Sequence, residues 1–470
     1  MDELVGNVSA RKRQGVIMET EGRLVEYVCG ATYADVPGTA MDVIKNQLLT
    51  VLGTTIAGAS AEGCEPLVDF YRELGGKAEA TILIHGGKVP AQSAALVNGV
   101  MARALDFCDA LAPGAHVGSS VVPAALAAAE LAGGCSGKEF LTALAIGTEV
   151  AARMNLTEST YDGFDPTGVC VVFASTVAAA RLLRLNQGQT WNALALAFNK
   201  CGGSFQSNVD GSLAVRVIQG WVAETGLACA QFASRGITGP KNFLEGVYGY
   251  FHLFGRDRIA PETVVSGLGS RFELHKVLFK KYPSCGLTLG STDVMLSLAQ
   301  EYDIDAGKID RIEVTVPPYT YKLVGHPFQV GSNPKVNAQF SIAYCVANVL
   351  VRRCSKLPHF EEPSIKDPQV LELAKKVRII SDPAMEARGH TPLDMRVFTI
   401  DGKTYERKID IAPGFPGNPL NKKDHEQRLR DCVAFARKPL QKEKVNGIVS
   451  AVDSFEKMED ARALIPLMLL

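Results

Sequence analysis

From about Glu21 to Phe254 the apolar residues recur at the three-and-four spacing of helices, and strand-like alternation is first met well beyond that stretch. Windows such as VVPAALAAAELA, FLTALAIGTEVAARM, VVFASTVAAARLL and WNALALAF are rich in alanine, which suits helices packed closely on one another. This half of the chain is therefore expected to be all-helical.

Around Gly255 to Ser270 the pattern relaxes into a connection punctuated by Pro and Gly, and strand signals follow. KIDRIEVTVPP alternates into a strand that Pro317 stops, VRIISD gives another, and MRVFTIDGKTYERKID gives a hairpin with Asp401-Gly402 at its turn. CGLTLGSTDVMLSLAQEY and AQFSIAYCVANVLVRR read as helices between them, so residues 266–411 are expected to form a smaller α+β domain. After Gly414 helical spacing returns, with an Asn418-Pro419 opening and the segment HEQRLRDCVAFARKPL. Residues 412–470 are expected to rejoin 21–265, which makes the helical domain discontinuous, while residues 1–20 read as an N-terminal extension. The expected fold class is mainly α.

The 470 residues are 47% hydrophobic and 21% charged, a balance able to bury a sizeable core. With 49 basic against 50 acidic residues there is no electrostatic case for a nucleic-acid or anionic-membrane partner. The first 20 residues lack the apolar centre of a secretory signal and no long charge-free apolar run follows, so a cytoplasmic protein without a membrane span is expected. The C-terminal RALIPLMLL reads as a packing tail. The 11 cysteines are scattered, without C-x-x-C pairs or zinc spacing, which suits reduced thiols in the core. GGCSG near residue 133 and CGGS near residue 201 lack the context of a phosphate loop, and no G-x-S-x-G, Walker or H-E-x-x-H pattern occurs. No metal and no cofactor are expected.

The stretch from Asn98 to Glu130 places acids and a single imidazole together in this helical background. Asp106 ends an apolar helical run through Leu96, Val97, Val100, Met101 and Leu105; Pro113 and Gly114 then break the helix, and His116 falls on the loop that follows. A helix from roughly Val121 to Leu131 resumes after a Ser119-Ser120 cap signal. An Asp at a helix end and a His on the adjoining loop can meet in a hydrogen bond, which sets the tautomer and basicity of a general acid or base. On residue types alone the same stretch also suits a surface loop with an ordinary histidine.

This segment resembles the MmgE/PrpD family, whose members include 2-methylcitrate dehydratase, cis-aconitate decarboxylase and iminodisuccinate epimerase. The family pattern is approximately NG-x-x-x-H-x-L-D-F-D-D-[TS], a short loop, then H-P-[GS]-S; Asp106 and His116 match its active-site acid and histidine. Arg103 stands where His is usual, Cys108 for the middle Asp, Ala110 for the hydroxyl residue and Val117 for the Pro. GFDPTGVCVVFASTVAAARLLRL, GSLAVRVIQGWVAETGLACAQFASRGITGPKNFLEG, KKYPSCGLT and NAQFSIAYCVANVL carry the likeness across nearly the whole chain.

The resemblance implies a helical domain made from both ends of the chain, an α+β lid, an active site in the cleft between them, and a homodimer. It implies cofactor-free reaction next to a carboxylate of a small organic acid: loss of water, loss of carbon dioxide or proton shuffling. An isomerase or a member without activity would keep the same fold. Such chemistry needs a proton carrier and fixed cations. His116 is expected as acid or base, with Asp106 orienting it. Arg216 and Lys280 are expected to hold substrate carboxylate, the strict family lysine position being Val215, and Tyr282 lies in the same lid motif as Lys280. On residue types alone, Arg216 also fits a solvated helix face and Lys280 a surface pair with Lys281. Asp165 occupies a family histidine position, and Leu289 stands where a second lid histidine is usual. An ionised Asp165 would repel a tricarboxylate unless protonated or paired, which favours a less anionic substrate. Asp165 also suits a helix cap before Pro166 or a base.

Overall fold

A chain apolar at helical spacing over half its length must hide a wide face of each helix, and here it does so by nesting helices together. The computed structural model describes residues 10–112, 114–156, 160 and 163–470. Helices Ala10–Gly30, Gly38–Gly58, Ala91–Arg103, Gly118–Leu131, Gly137–Met154, Val172–Leu182, Gln187–Asn199 and Ala214–Ser234 build the first of two compact units. The Ala214–Ser234 helix packs on Ala91–Arg103, Val172–Leu182 and Gln187–Asn199. Two glycines set the first of these approaches, since a Cβ on Gly99 would lie 3.0 Å from the Gly220 Cα. Gln92 Nε2 donates to Gln231 Oε1 at 2.6 Å beyond one side of that crossing, so the two helices run antiparallel. Arg103 and Arg216 then stand one turn away on the other side.

Short extended pieces interrupt the helices of this unit. Ala80–Thr81 pairs antiparallel with Lys88–Val89, a ladder too short to leave a period in the sequence. The C-terminal tail packs as expected, with Leu464 and Met468 buried and Ile84 N–H donating to the Met468 carbonyl at 2.7 Å.

The second unit comprises Leu105–Phe107 and Leu278–Phe435. Its four-stranded sheet runs in the order Val377–Ser381, Ile309–Val316, Leu393–Thr399, Thr404–Ile409, the first pair parallel and the others antiparallel. Ile312, Val314 and Val316 alternate into the core, each such side chain contributing about 1.5–3 kcal/mol by leaving water. Helices Leu289–Glu301 and Ile342–Arg352 pack together there. Gly402 takes φ +82° at the expected hairpin turn.

The unit boundaries differ from the sequence expectation at both ends of the α+β region. Residues up to Val277 belong to the helical unit because Arg153 gathers their carbonyls: its guanidinium donates to Val264, Ser266 and Arg271 at 2.9, 2.8 and 2.6 Å. Glu149 pairs with Arg153 at 2.5 Å, both side chains fully buried, and accepts the Leu274 N–H. Residues 412–435 belong to the second unit, and only Ala436–Leu470 return to the first. Phe279 N–H donates to the Gly414 carbonyl at 2.9 Å, Ala412 N–H to Thr391 Oγ1 at 3.0 Å, and Lys356 pairs with Asp431 at 2.9 Å. The N-terminal expectation also shifts. Helix Ala10–Gly30 begins ahead of Glu21, and residues 1–9 lie outside the described residues.

Around the candidate site the helix limits move too. The Ala91–Arg103 helix ends at Arg103, so Asp106 is not its last residue; it sits in the turn beyond with φ +52°. Aspartate tolerates that left-handed conformation better than most residues. Pro113, the expected breaker, lies outside the described residues. The next helix starts at Gly118, and Ser119 and Ser120 are buried inside it rather than capping it. Its cap is remote: the Asp109 carboxylate accepts the Gly118 N–H at 2.9 and 3.1 Å. No helix among the described residues is long and apolar enough to cross a membrane.

Candidate active site

In the helical unit the loop carrying His116 is fastened at both sides by buried polar groups. Asp109, fully buried, accepts from Gln47 Nε2 at 2.8 Å as well as from Gly118, and Thr148 steadies Gln47 through a 3.1 Å bond. A buried carboxylate needs such donors, and here they hold the loop to the helix start. His116 Nδ1 lies 3.0 Å from the Asp109 carbonyl and 3.3 Å from Cys108 Sγ. A carbonyl only accepts, so this bond puts the proton on Nδ1 and makes Nε2 the basic nitrogen. The backbone thus supplies one orienting contact for the ring.

Thr167 joins His116 to Asp165. Its Oγ1 accepts the His116 N–H at 3.0 Å and Gln219 Nε2 at 3.2 Å. Asp165 Oδ1 accepts the Thr167 N–H at 2.8 Å, so the cap role is present. Burial raises the Asp165 pKa; the Thr167 N–H and the nearby Arg103 charge act in the opposite direction. Thr167–Val171 forms a single π-helical turn ahead of Val172–Leu182, a form that recurs at functional sites. Gly168 is required in it, because a Cβ there would lie 1.7 Å from the Gly202 carbonyl oxygen.

Arg216, near the start of Ala214–Ser234, is half-buried and donates to the Glu62 carbonyl at 2.6 Å. Burial lowers its pKa, and the Arg103 charge adds to that. It is therefore neither a solvated helix face nor a side chain wholly given to one partner.

In the second unit Lys280 and Asp106 form a buried ion pair. Lys280 Nζ lies 2.8 Å from Asp106 Oδ1 and 2.8 Å from the Asp106 carbonyl oxygen, and Lys280 is only 4% exposed, which rules out an ordinary surface pair. The lysine has three donors, and these contacts use two. Tyr282 donates its hydroxyl to Asp293 Oδ1 at 2.7 Å, and Lys281 pairs with the same oxygen at 2.6 Å. Burial and Asp293 both raise the Tyr282 pKa, keeping the phenol protonated. Leu289 is fully buried in the core of its helix. His425 packs edge-on against Phe279 at 4.9 Å between ring centres, and burial pushes its pKa down to about 3, so it is neutral.

Several residues of this arrangement were not singled out in the sequence. Asp109 had a signal, as the second acid of the stretch that begins at Asp106; Thr167 and Gln219 had none beyond lying in family-like segments. Among the described residues no group of three or more His, Cys, Asp or Glu is placed to hold a metal ion.

Comparison with known proteins places the chain in a family. The MmgE/PrpD N-terminal domain model matches residues 22–262, and the MmgE/PrpD C-terminal domain model matches residues 282–453. The chain is 26% identical over 440 residues to the human cis-aconitate decarboxylase, covering 90% of this chain and 89% of that one. It is 25% identical to the mouse cis-aconitate decarboxylase, with 89% and 87% covered. It is 24% identical to a cis-aconitate decarboxylase-like protein, oryM, of Aspergillus oryzae, with 94% and 96% covered. With both domain models matched along most of its length, the chain belongs to the MmgE/PrpD family.

Proposed function

We propose that this protein is a lyase that removes carbon dioxide or water from a small carboxylic acid by acid–base catalysis without a metal or cofactor. The observation that carries the reading is the fixed imidazole of His116, with Nδ1 held by the Asp109 carbonyl and its backbone held by Thr167. In loss of carbon dioxide the C–C bond breaks, its electron pair stays on the substrate as a delocalised carbanion, and a proton delivered to carbon completes the step. In loss of water a base takes a proton from carbon and an acid protonates the departing hydroxyl. His116 is the proton carrier in either case. Lys280, held by Asp106, and Arg216 supply positive charge for substrate carboxylate. Asp165, whose pKa burial raises, is the second candidate proton carrier.

The relatives named as cis-aconitate decarboxylases make cis-aconitate the first acid to test. The charge objection to a tricarboxylate weakens when Asp165 is buried beside Arg103 and its pKa is raised. The experiment incubates the full chain with cis-aconitate in deuterated buffer and follows carbon dioxide and the product by NMR. Release of carbon dioxide with deuterium taken up at one of the carbons that share the carbanion's charge supports a decarboxylase. Deuterium exchange or rearrangement with all carbons retained would replace the lyase reading with an isomerase. No change with a panel of di- and tricarboxylates would overturn both.

A further inference from the structure

We propose that Gln339 is a positioning residue that sets the geometry of the Asp106–Lys280 pair. The proposal rests on the role given above to that pair. Asp106 is held in a conformation its own chain does not favour, with φ +52°. Such a turn persists where the surroundings over-determine it. Here three successive carbonyls are gripped by side chains of the second unit: Leu105 by Gln339 Nε2 at 3.3 Å, Asp106 by Lys280 Nζ at 2.8 Å, and Phe107 by the Arg428 guanidinium at 2.8 Å. The Arg428 guanidinium also lies 4.7 Å from the centre of the Phe107 ring.

Gln339 does more than grip one carbonyl. Its side-chain amide nitrogen also donates to the Pro283 carbonyl at 3.0 Å, and its backbone carbonyl accepts the Cys285 N–H at 2.9 Å. Pro283 and Cys285 belong to the segment that carries Lys280. Both hydrogens of one carboxamide are therefore spent on two strands of chain, one bearing Asp106 and the other Lys280. Gln339 is 4% exposed, at the end of the Pro334–Gln339 helix, so water does not compete for these bonds. A primary amide is the side chain that donates twice from one atom without carrying a charge; glutamate has the size but no hydrogen, and leucine has neither.

The test uses Gln339→Leu and Gln339→Glu in the full chain, with cis-aconitate as probe. The expected result is a fall in kcat of about 10- to 100-fold, the cost of misplacing a site by about 1 Å, with KM changed less than kcat and the acid limb of the pH profile moved upward. In a Lys280→Met background the same changes should have little further effect, because the pair to be positioned is gone. A crystal structure of Gln339→Leu should show Asp106 out of the left-handed region and out of contact with Lys280. Unchanged kcat and pH profile, full additivity with Lys280→Met, or an Asp106–Lys280 distance kept in the crystal would each overturn the proposal. So would failure of both variants to fold, which makes Gln339 a folding residue. If the parent chain turns over no acid, the functional reading has failed, and the crystal structure alone decides the positioning role.

Discussion

The Thr167 hydroxyl accepts the backbone N–H of His116 at 3.0 Å, so the candidate proton carrier is tied to a residue 51 positions away that also caps onto Asp165. That hydroxyl oxygen also accepts from Gln219 Nε2, so both of its lone pairs are used. Thr167→Val, nearly the same shape, should lower kcat by about 10-fold, in line with one or two lost hydrogen bonds, with little change in KM. Thr167→Ser should retain most of the activity. Parent-like turnover in Thr167→Val beside a loss in Thr167→Ser would show that the methyl packing, not the hydroxyl, matters.

Removing the imidazole tests the chemistry itself. His116→Ala should reduce kcat by about 10²- to 10⁴-fold, the usual contribution of a positioned acid or base, and remove one limb of the pH profile. Asp106→Asn should act in the same direction but less severely, because the carbonyl contact to Lys280 survives it. Steady-state kinetics across pH reads both. Near-parent turnover in His116→Ala would move the proton transfer to Asp165.

Glu21 gives a pH dependence of stability that is separate from activity. The side chain is fully buried, its Oε1 accepts the Leu244 N–H at 3.0 Å, and burial pushes its pKa up from 4.5 to about 6. The folded state thus binds the proton more tightly than the unfolded one. This contribution is complete below about pH 4.5 and is lost as pH rises through 6. In urea titrations Glu21→Gln should gain on the parent by roughly 2 kcal/mol between pH 4.5 and pH 8. A constant difference across that range would contradict the assignment.

Gly168 is the backbone position least able to accept a side chain near the site, given a Cβ 1.7 Å from the Gly202 carbonyl oxygen. Gly168→Ala should destabilise the fold by about 1–3 kcal/mol or force the π turn apart, and activity should fall further than stability predicts. Thermal melts beside kinetics separate the two effects. Parent-like values in both would mean that the turn yields easily.

Turnover should survive exhaustive EDTA treatment, since the described acids, thiols and imidazoles do not cluster as ligands. Activity lost and then restored by an added metal would overturn the metal-free reading. Light scattering of the same sample should give twice the 50.4 kDa chain mass if the family's dimer is formed. A single-chain mass at micromolar concentration would count against it.

Helical spacing and strand alternation made the two kinds of unit legible in the sequence, because burial on one face leaves a period that survives any change of neighbour. The limits of the units were not legible. They are decided by single polar side chains, Arg153 drawing residues 264–271 into the helical unit and Thr391 holding Ala412 in the other, and such bonds leave no period. The same holds at the site. His116 and Asp106 stood out by residue type, whereas the roles of Asp109, Thr167 and Gln339 depend on which backbone group each one meets. The Ser119-Ser120 signal misled for that reason, its capping work being done by Asp109 from nine residues away.

The grip on Leu105–Phe107 also bears on how the molecule comes into being. Its three donors lie 174, 234 and 321 residues further along the chain, at Lys280, Gln339 and Arg428. During synthesis the Ala91–Arg103 helix can form early from local contacts, while the neighbouring Asp106 turn waits for donors not yet translated. A nascent chain released before Arg428 carries the aspartate without the full set of donors that hold its turn. The complete turn thus requires nearly the whole polypeptide, since its last donor is Arg428.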